Sequence, residues 1–414
     1  MEFRFFGNKK AQERFFLTLD IGTEAVKVLI FSTSASPINK ISILAASSQY
    51  FERYGVFDGR DFETDIIKKA ILKAVEEARK KIFFSLARRD LKNKVQKQKK
   101  WQILLGISSN KLKGRVVSQN FVRENSRDKI SKKEEKVICQ EVLKRAEKEI
   151  SQKFAQESGI LPSDIYWISL KIIEMKIDGY LVSTFQGYEG ENLEFKILAT
   201  FLPKYYLERI KKIIESLGME ILKIVHPVEN LSFLCEDDRE DGIFLDVGGR
   251  ITQFFLVRGG ILQQIGEFEG GGKIFTETLS QDLGINEESA RILKERYSNG
   301  LLNIETVKKM KEIFIREKKN WYLCLKNEVK KLNQRNIFPL NIYLFGGGSL
   351  LPEIKEILEE KITSDSKGTT SQGSAEIKFI HPKDFKNIKK GTVNLKDPQI
   401  ISSLLICHHA KEIL

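Results

Sequence analysis

The chain has 414 residues, 41% hydrophobic and 30% charged, the balance of a globular protein with room for about two or three domains. No apolar run approaches the ~20 residues of a spanning helix, since even the stretch 244–255 is interrupted by Asp246, Arg250 and Gln253. The net charge of +13 gathers partly at 88–100 and 308–331, but neither cluster interleaves aromatics with its basic residues, so no nucleic-acid partner is expected and solvated faces are. Cys139, Cys235, Cys324 and Cys407 stand far apart without metal-ligand spacing, and residues 1–10 lack the apolar segment of a secretory signal. A reducing cytoplasm is the expected compartment.

In chain order, residues 1–10 set Phe3, Phe5 and Phe6 beside Arg4, Lys9 and Lys10, a small patch that could dip into a membrane interface, with the basic segment 88–100 adding electrostatic attraction. Residues 15–32 read as strand, turn, strand, with Asp20-Ile21-Gly22-Thr23 at the centre. Helical spacing of Ile66, Ile67, Ala70, Ile71, Ala74 and Ala78 predicts a helix over 62–81, and Leu207, Ile210, Ile213 and Ile214 predict another over 205–217. Short strands at 103–107 and 195–202 flank an irregular stretch, 113–193, holding a charged amphipathic helix at 132–151. Residues 242–262 repeat the first hairpin around Asp246-Val247-Gly248-Gly249. Helices follow at 277–283 and 287–296, then one long helix over 304–332. A buried strand at 342–345 leads through Gly346-Gly347-Gly348-Ser349 into a helix at 350–358; residues 363–376 read as a surface loop and 397–414 as a last helix.

Two Asp-x-Gly turns, each between strands, exclude the familiar phosphate loops. The nearest approach to a Walker loop, Gly266 to Gly272-Lys273-Ile274, has the wrong spacing and no hydroxyl after the lysine, and no Gly-x-Gly-x-x-Gly joins a strand to a helix. A glycine turn can still converge its N–H groups on an anion, and two facing turns could clamp one triphosphate. Asp20 would then hold Mg²⁺ through water while Asp246 orients an attacking water, which makes both acids the catalytic candidates. Gly22, Thr23 and Lys27 would serve the phosphates in the first turn, and Gly248 and Gly249 in the second. Gly346, Gly347, Gly348 and Ser349 would let the backbone approach a ribose or a flat ring.

With these three signatures in this order, the sequence resembles the actin-like ATPase superfamily. Within it the likeness is greatest to the bacterial cell-division protein FtsA and covers nearly the whole chain. The stretches that carry it are Tyr54-Gly55-Val56-Phe57-Asp58-Gly59-Arg60-Asp61, Leu104-Leu105-Gly106-Ile107-Ser108, Glu174-Met175-Lys176-Ile177-Asp178-Gly179, Gln186-Gly187-Tyr188-Glu189-Gly190-Glu191-Asn192-Leu193 and Glu269-Gly270-Gly271-Gly272. The resemblance implies an α/β actin-like ATPase fold of two lobes, built from duplicated ribonuclease-H-like subdomains, with an FtsA-type inserted subdomain in the first lobe. Its divisions would be an N-terminal segment 1–14, a lobe-one core at 15–112 and 194–240, the insertion at 113–193, and lobe two at 241–414.

The same resemblance implies ATP and Mg²⁺ as cofactors, self-association into protofilaments through the insertion, an FtsZ-like filament or other division protein as partner, and a cytoplasmic protein that meets the membrane only peripherally. Gly270, Gly271, Glu288 and Lys294 would complete the nucleotide site, with Arg291 where a second acid is common. The second turn departs from the family pattern, having Arg250 and Gln253 where a glycine and an acid are usual. Thr252 would restore the lost hydroxyl, in a form closer to the pilus protein PilM, and binding is expected ahead of hydrolysis. A chain ending at 397–414 shows no terminal amphipathic anchor, which favours the alternative of a PilM-like adaptor with a PilN-like peptide as partner. A small-molecule kinase of the superfamily would need a general base, and no residue is named for it: Glu229 falls near the expected interlobe hinge, where a structural role is expected instead.

Overall fold

The computed structural model describes residues 14–33, 41–52, 63–85, 93, 95, 98, 100–108, 111–234, 241–332, 341–365, 376–385, 388 and 397–412. The aromatic patch at 1–10, all of the segment 54–61 and most of 88–100 lie outside these residues.

The first sheet starts with β1 (Arg14–Gly22), β2 (Ala25–Thr33) and β3 (Ile41–Tyr50), followed by α1 (Thr64–Ser85) and β4 (Gln102–Ser108). Side chains alternate across β1, so Phe15, Leu17, Leu19 and Ile21 enter the core under α1 while Phe16 enters the core on the other face. Next come β5 (Lys113–Val122), α2 (Lys132–Ser158), β6 (Ile165–Ile177), β7 (Tyr180–Val182) and β8 (Asn192–Pro203). After these the chain returns through α3 (Lys204–Ser216) to β9 (Glu220–Ile224) and a 3-10 segment at Pro227–Leu234.

The stretch 113–193, irregular on sequence grounds, is therefore an ordered unit. Its strands β5, β6 and β7 form a four-stranded sheet with β8, most of which lies past residue 193, in the order β5-β8-β6-β7, with the longer-than-expected α2 packed against it. Ser131 caps α2 by accepting from Glu134 N, and Gly159 ends it in the left-handed conformation.

The second sheet repeats the plan of the first. β10 (Gly242–Val247), β11 (Ile251–Arg258) and β12 (Ile261–Glu269) lead to α4 (Gly272–Leu283), α5 (Glu287–Ser298), α6 (Ile304–Ile313) and α7 (Ile315–Leu332). The chain closes with β13 (Asn341–Phe345), α8 (Pro352–Asp365), β14 (Glu376–Phe379) and α9 (Ile401–His408). Strand orders β3-β2-β1-β4-β9 and β12-β11-β10-β13-β14 correspond position by position. In each, the hairpin strands pair antiparallel and the strands that follow pair parallel. One chain thus carries the same five-stranded sheet twice.

The sheets share a core. Phe16, Leu29 and Phe31 of the first join Phe244, Phe255 and Phe345 of the second through Leu404, Leu405 and Ile406 of α9. On its far face the second sheet packs against α4 to α8. The helix expected over 304–332 is two helices that part at Phe314, whose fully buried ring meets Phe275 and Tyr297 edge-on at 5.2 and 5.8 Å. Burying that ring outweighs continuing a helix. Phe314→Ala is expected to lower the unfolding free energy by about 3–5 kcal/mol, read from a denaturant melt.

The helix after the triple glycine begins only at Pro352, because 347–350 form a single 3-10 turn. Of the loop expected at 363–376, residues 363–365 belong to α8 and Glu376 opens β14, while the rest lie outside the described residues. Among the described residues no helix is long and apolar enough to cross a membrane, and Cys139 and Cys324 are free.

Candidate nucleotide cleft

Antiparallel pairing sets Asp20 opposite Lys27 in the first hairpin and Asp246 opposite Gln253 in the second. Because the sheets are equivalent, these pairs occupy matching places; Lys27, Asp246 and Gln253 line one cleft between the lobes, and Asp20 is fully buried next to Lys27. Gly22, Thr23, Glu24, Lys27, Asp246, Gly248, Gly249, Ile251, Gln253, Gly272, Lys294, Gly347 and Gly348 line it, along with Tyr50, Glu295, Ser298, Asn299 and Gln399. The cleft encloses about 1030 Å³, part of it open to solvent.

Both acids are held by the last helix. Ser403 donates to Asp20 Oδ2 at 3.1 Å, and its neighbour Ser402 donates to Asp246 Oδ2 at 2.8 Å. Lys27 Nζ lies 3.7 Å from Asp20 Oδ2. Desolvation pushes the Asp246 carboxyl above the ordinary aspartate range; Lys27 and the Ser402 hydroxyl oppose the rise, and Asp20 adds to it. Two carboxylates and two hydroxyls are hard oxygen donors of the kind that suits Mg²⁺ when phosphate oxygens and water complete its shell. Among the described residues no cluster of three or more His, Cys, Asp and Glu forms a metal cage by itself.

On the lobe-two side, α5 contributes one helical face, with Lys294 and Ser298 one turn apart and Glu295 and Asn299 beside them. Lys294 is buried; its Nζ donates to Gly272 O at 2.7 Å and to Thr276 Oγ1 at 2.6 Å, which ties α5 to the start of α4. Burial lowers the pKa of Lys294, against the pull of Glu24 and Glu295. Arg291 pairs with Glu295 at 3.2 Å and lies 4.0 Å from the ring centre of Tyr50, so the lobes touch at this point. Burial, together with Glu295, raises the Tyr50 phenol well above its usual pKa.

Several expected site residues stand elsewhere. Thr252 alternates with Ile251 and Gln253, so its side chain leaves the cleft: its hydroxyl donates to Gly270 O at 2.6 Å and accepts from Trp321 Nε1 at 3.0 Å. It does not replace the missing phosphate-side hydroxyl. Glu288 is exposed near the start of α5, about 10 Å along the helix from Glu295, and does not line the cleft. Gly270 and Gly271 support the second turn from behind. Gly270 N donates to Arg250 O at 2.8 Å, and a Cβ on Gly271 would come within 2.5 Å of the carbonyl oxygens of both Gly248 and Gly249.

Ser349 is buried, its Oγ donating to Gly346 O at 2.7 Å, while Gly347 and Gly348 form the cleft wall. Glu229 lies outside the cleft and accepts from Thr200 Oγ1 at 2.9 Å. Glu24, Tyr50, Glu295, Ser298, Asn299 and Ser402 were not anticipated. For Ser298 the i, i+4 spacing from Lys294 is the signal that could have found it, and Ser402 has none.

Two sheets of one plan, each bringing an Asp-x-Gly hairpin to a shared cleft, give this chain the actin-like ATPase fold. Its sequence resembles that of the cell division protein FtsA of Streptococcus pneumoniae serotype 2, with 24% identity over 374 residues, spanning 84% of this chain and 74% of that protein. No protein-family model matches the chain. Among solved structures, the PilM–PilN type IV pilus biogenesis complex contains a chain of the same fold, with a TM-score of 0.63 and 15% identity over 95% of this chain and 98% of that one.

Proposed function

We propose that this protein is a nucleotide-binding scaffold of bacterial cell division: it holds ATP with Mg²⁺ between its lobes, self-associates into protofilaments, and links an FtsZ-like filament to the inner face of the membrane from the cytoplasm. The observation that carries this reading is the sequence likeness to FtsA, which spans 84% of this chain. In this reading Asp20 and Asp246 serve the Mg²⁺–phosphate end, Lys27 offsets phosphate charge, and Glu295, Ser298 and the Gly347–Gly348 wall hold the nucleoside. Mg²⁺, when bound, would supply charge neutralisation at the phosphates. Gln253 replaces the usual acid opposite Asp246, which favours binding with slow or no turnover.

Titration with MgATP is expected to show an affinity lowered by about tenfold or more in Asp20→Ala and in Asp246→Ala, each of which removes a charged partner from a desolvated site. Unaltered affinity in both variants would refute the site. The alternative is a PilM-like adaptor that binds a PilN-like peptide, and its support is the structural likeness to a chain of the PilM–PilN complex. Capture by an immobilised FtsZ tail but not by a PilN-type peptide supports the first reading, and the reverse supports the second.

A further inference from the structure

In the turn between β1 and β2, Glu24 directs its side chain into the cleft and onto the opposing turn. A Cβ built on Gly249 would lie 2.7 Å from Glu24 Cγ, 2.8 Å from Glu24 Cδ and 2.9 Å from Thr23 Oγ1. Only a glycine at 249 lets the two turns meet so closely. Across the same gap the N–H of Arg250 donates to Thr23 Oγ1 at 3.3 Å.

Glu24 Oε1 is buried without a hydrogen-bond partner. Burial raises the Glu24 pKa above the ordinary glutamate value, against the pull of Lys294, Lys273, Arg291 and Arg250. The Glu24 side chain is thus held between the two glycine turns, close to the cations Lys294, Lys273, Arg291 and Arg250, in the concavity such turns offer to an anion.

We propose that Glu24 sets the number of phosphates this cleft accepts: its carboxylate occupies the place of a terminal phosphate, so a nucleoside diphosphate is bound ahead of the triphosphate. The proposal rests on the nucleotide reading of the cleft. A diphosphate leaves Glu24 among its cations. A third phosphate brings a like charge into the same cradle and must displace the side chain, an opposition worth on the order of tenfold or more in affinity. Glutamine at this position keeps the shape and removes the charge, whereas serine removes both.

The test is equilibrium titration of the full chain with MgADP and MgATP, for the wild type, Glu24→Gln and Glu24→Ser. The wild type is expected to bind ADP more tightly than ATP by about tenfold or more, with the ratio falling towards one in Glu24→Ser and to an intermediate value in Glu24→Gln. If Glu24→Ser fails to fold in a ligand-free melt, the Glu24→Gln ratio decides. Equal affinities in the wild type, or a ratio unchanged by the substitutions, overturns the proposal and leaves the nucleotide reading standing. Absence of binding of either nucleotide to any of the three proteins overturns both.

Discussion

Gly346→Ala is expected to lower the unfolding free energy by about 3 kcal/mol and to weaken nucleotide binding with it. Gly346 has φ +86°, a conformation that carries a steric cost for any residue with a Cβ. A Cβ there would also lie 2.3 Å from Asp246 Oδ1 and 2.6 Å from Val247 O. Relief by moving Asp246 breaks its hydrogen bond from Ser402, and relief by moving the backbone shifts the second turn. Gly259→Ala is the control. Its φ is +58°, but nothing lies within 4 Å of the added carbon, so only the backbone cost of about 1 kcal/mol is expected. Equal losses in the two variants, measured by denaturant melts, would show that contact with Asp246 contributes nothing.

Lys294→Met should have the larger combined effect, a loss of about 3 kcal/mol in stability and at least about tenfold in nucleotide affinity. The buried ammonium is the link between Gly272 O and Thr276 Oγ1, and its charge lowers the cost of keeping Glu24 ionised. Methionine fills the space without donating. It leaves Gly272 O without this donor and an acid with one fewer compensating charge, the situation in which removing one member of a buried charge set is most damaging. A double variant with Glu24→Gln is expected to recover part of the lost stability, since the uncompensated acid is then gone. No recovery would mean that the loss comes from the two hydrogen bonds alone.

Much of the fold was legible because it is written twice. Asp20 and Asp246 each end an apolar strand and precede another, and that pattern read correctly as two hairpins. The insertion was not legible as a sheet: most side chains of β6 are half-buried, so its sequence Ile165-Tyr166-Trp167-Ile168-Ser169-Leu170 shows no clean alternation of apolar and polar residues. The break at Phe314 was hidden for a different reason. The local pattern of 304–332 is helical throughout, and the two helices part at a single residue whose ring is fully buried.

Within the cleft, strand parity would have turned Thr252 away, because Gln253 sits opposite Asp246 and adjacent residues of a strand face opposite sides. The hydroxyl was assigned by its spacing from Asp246, without regard to the face it occupies. Glu24 passed unnoticed since an acid in a polar turn is ordinary chemistry; its burial against Gly249 depends on a segment more than 200 residues away. The pairing of Ser402 and Ser403 with the two acids arises from the way α9 crosses between the sheets, which no local pattern encodes.

That crossing also imposes an order in time. The hydroxyls that satisfy Asp246 and Asp20 belong to residues 156 and 383 positions later in the chain. A nascent chain that has already made both hairpins still presents two carboxylates without these donors, and the shared core still lacks Leu404, Leu405 and Ile406. Both sheets can pair before α9 is made, yet the cleft between them is finished only once α9 packs across both.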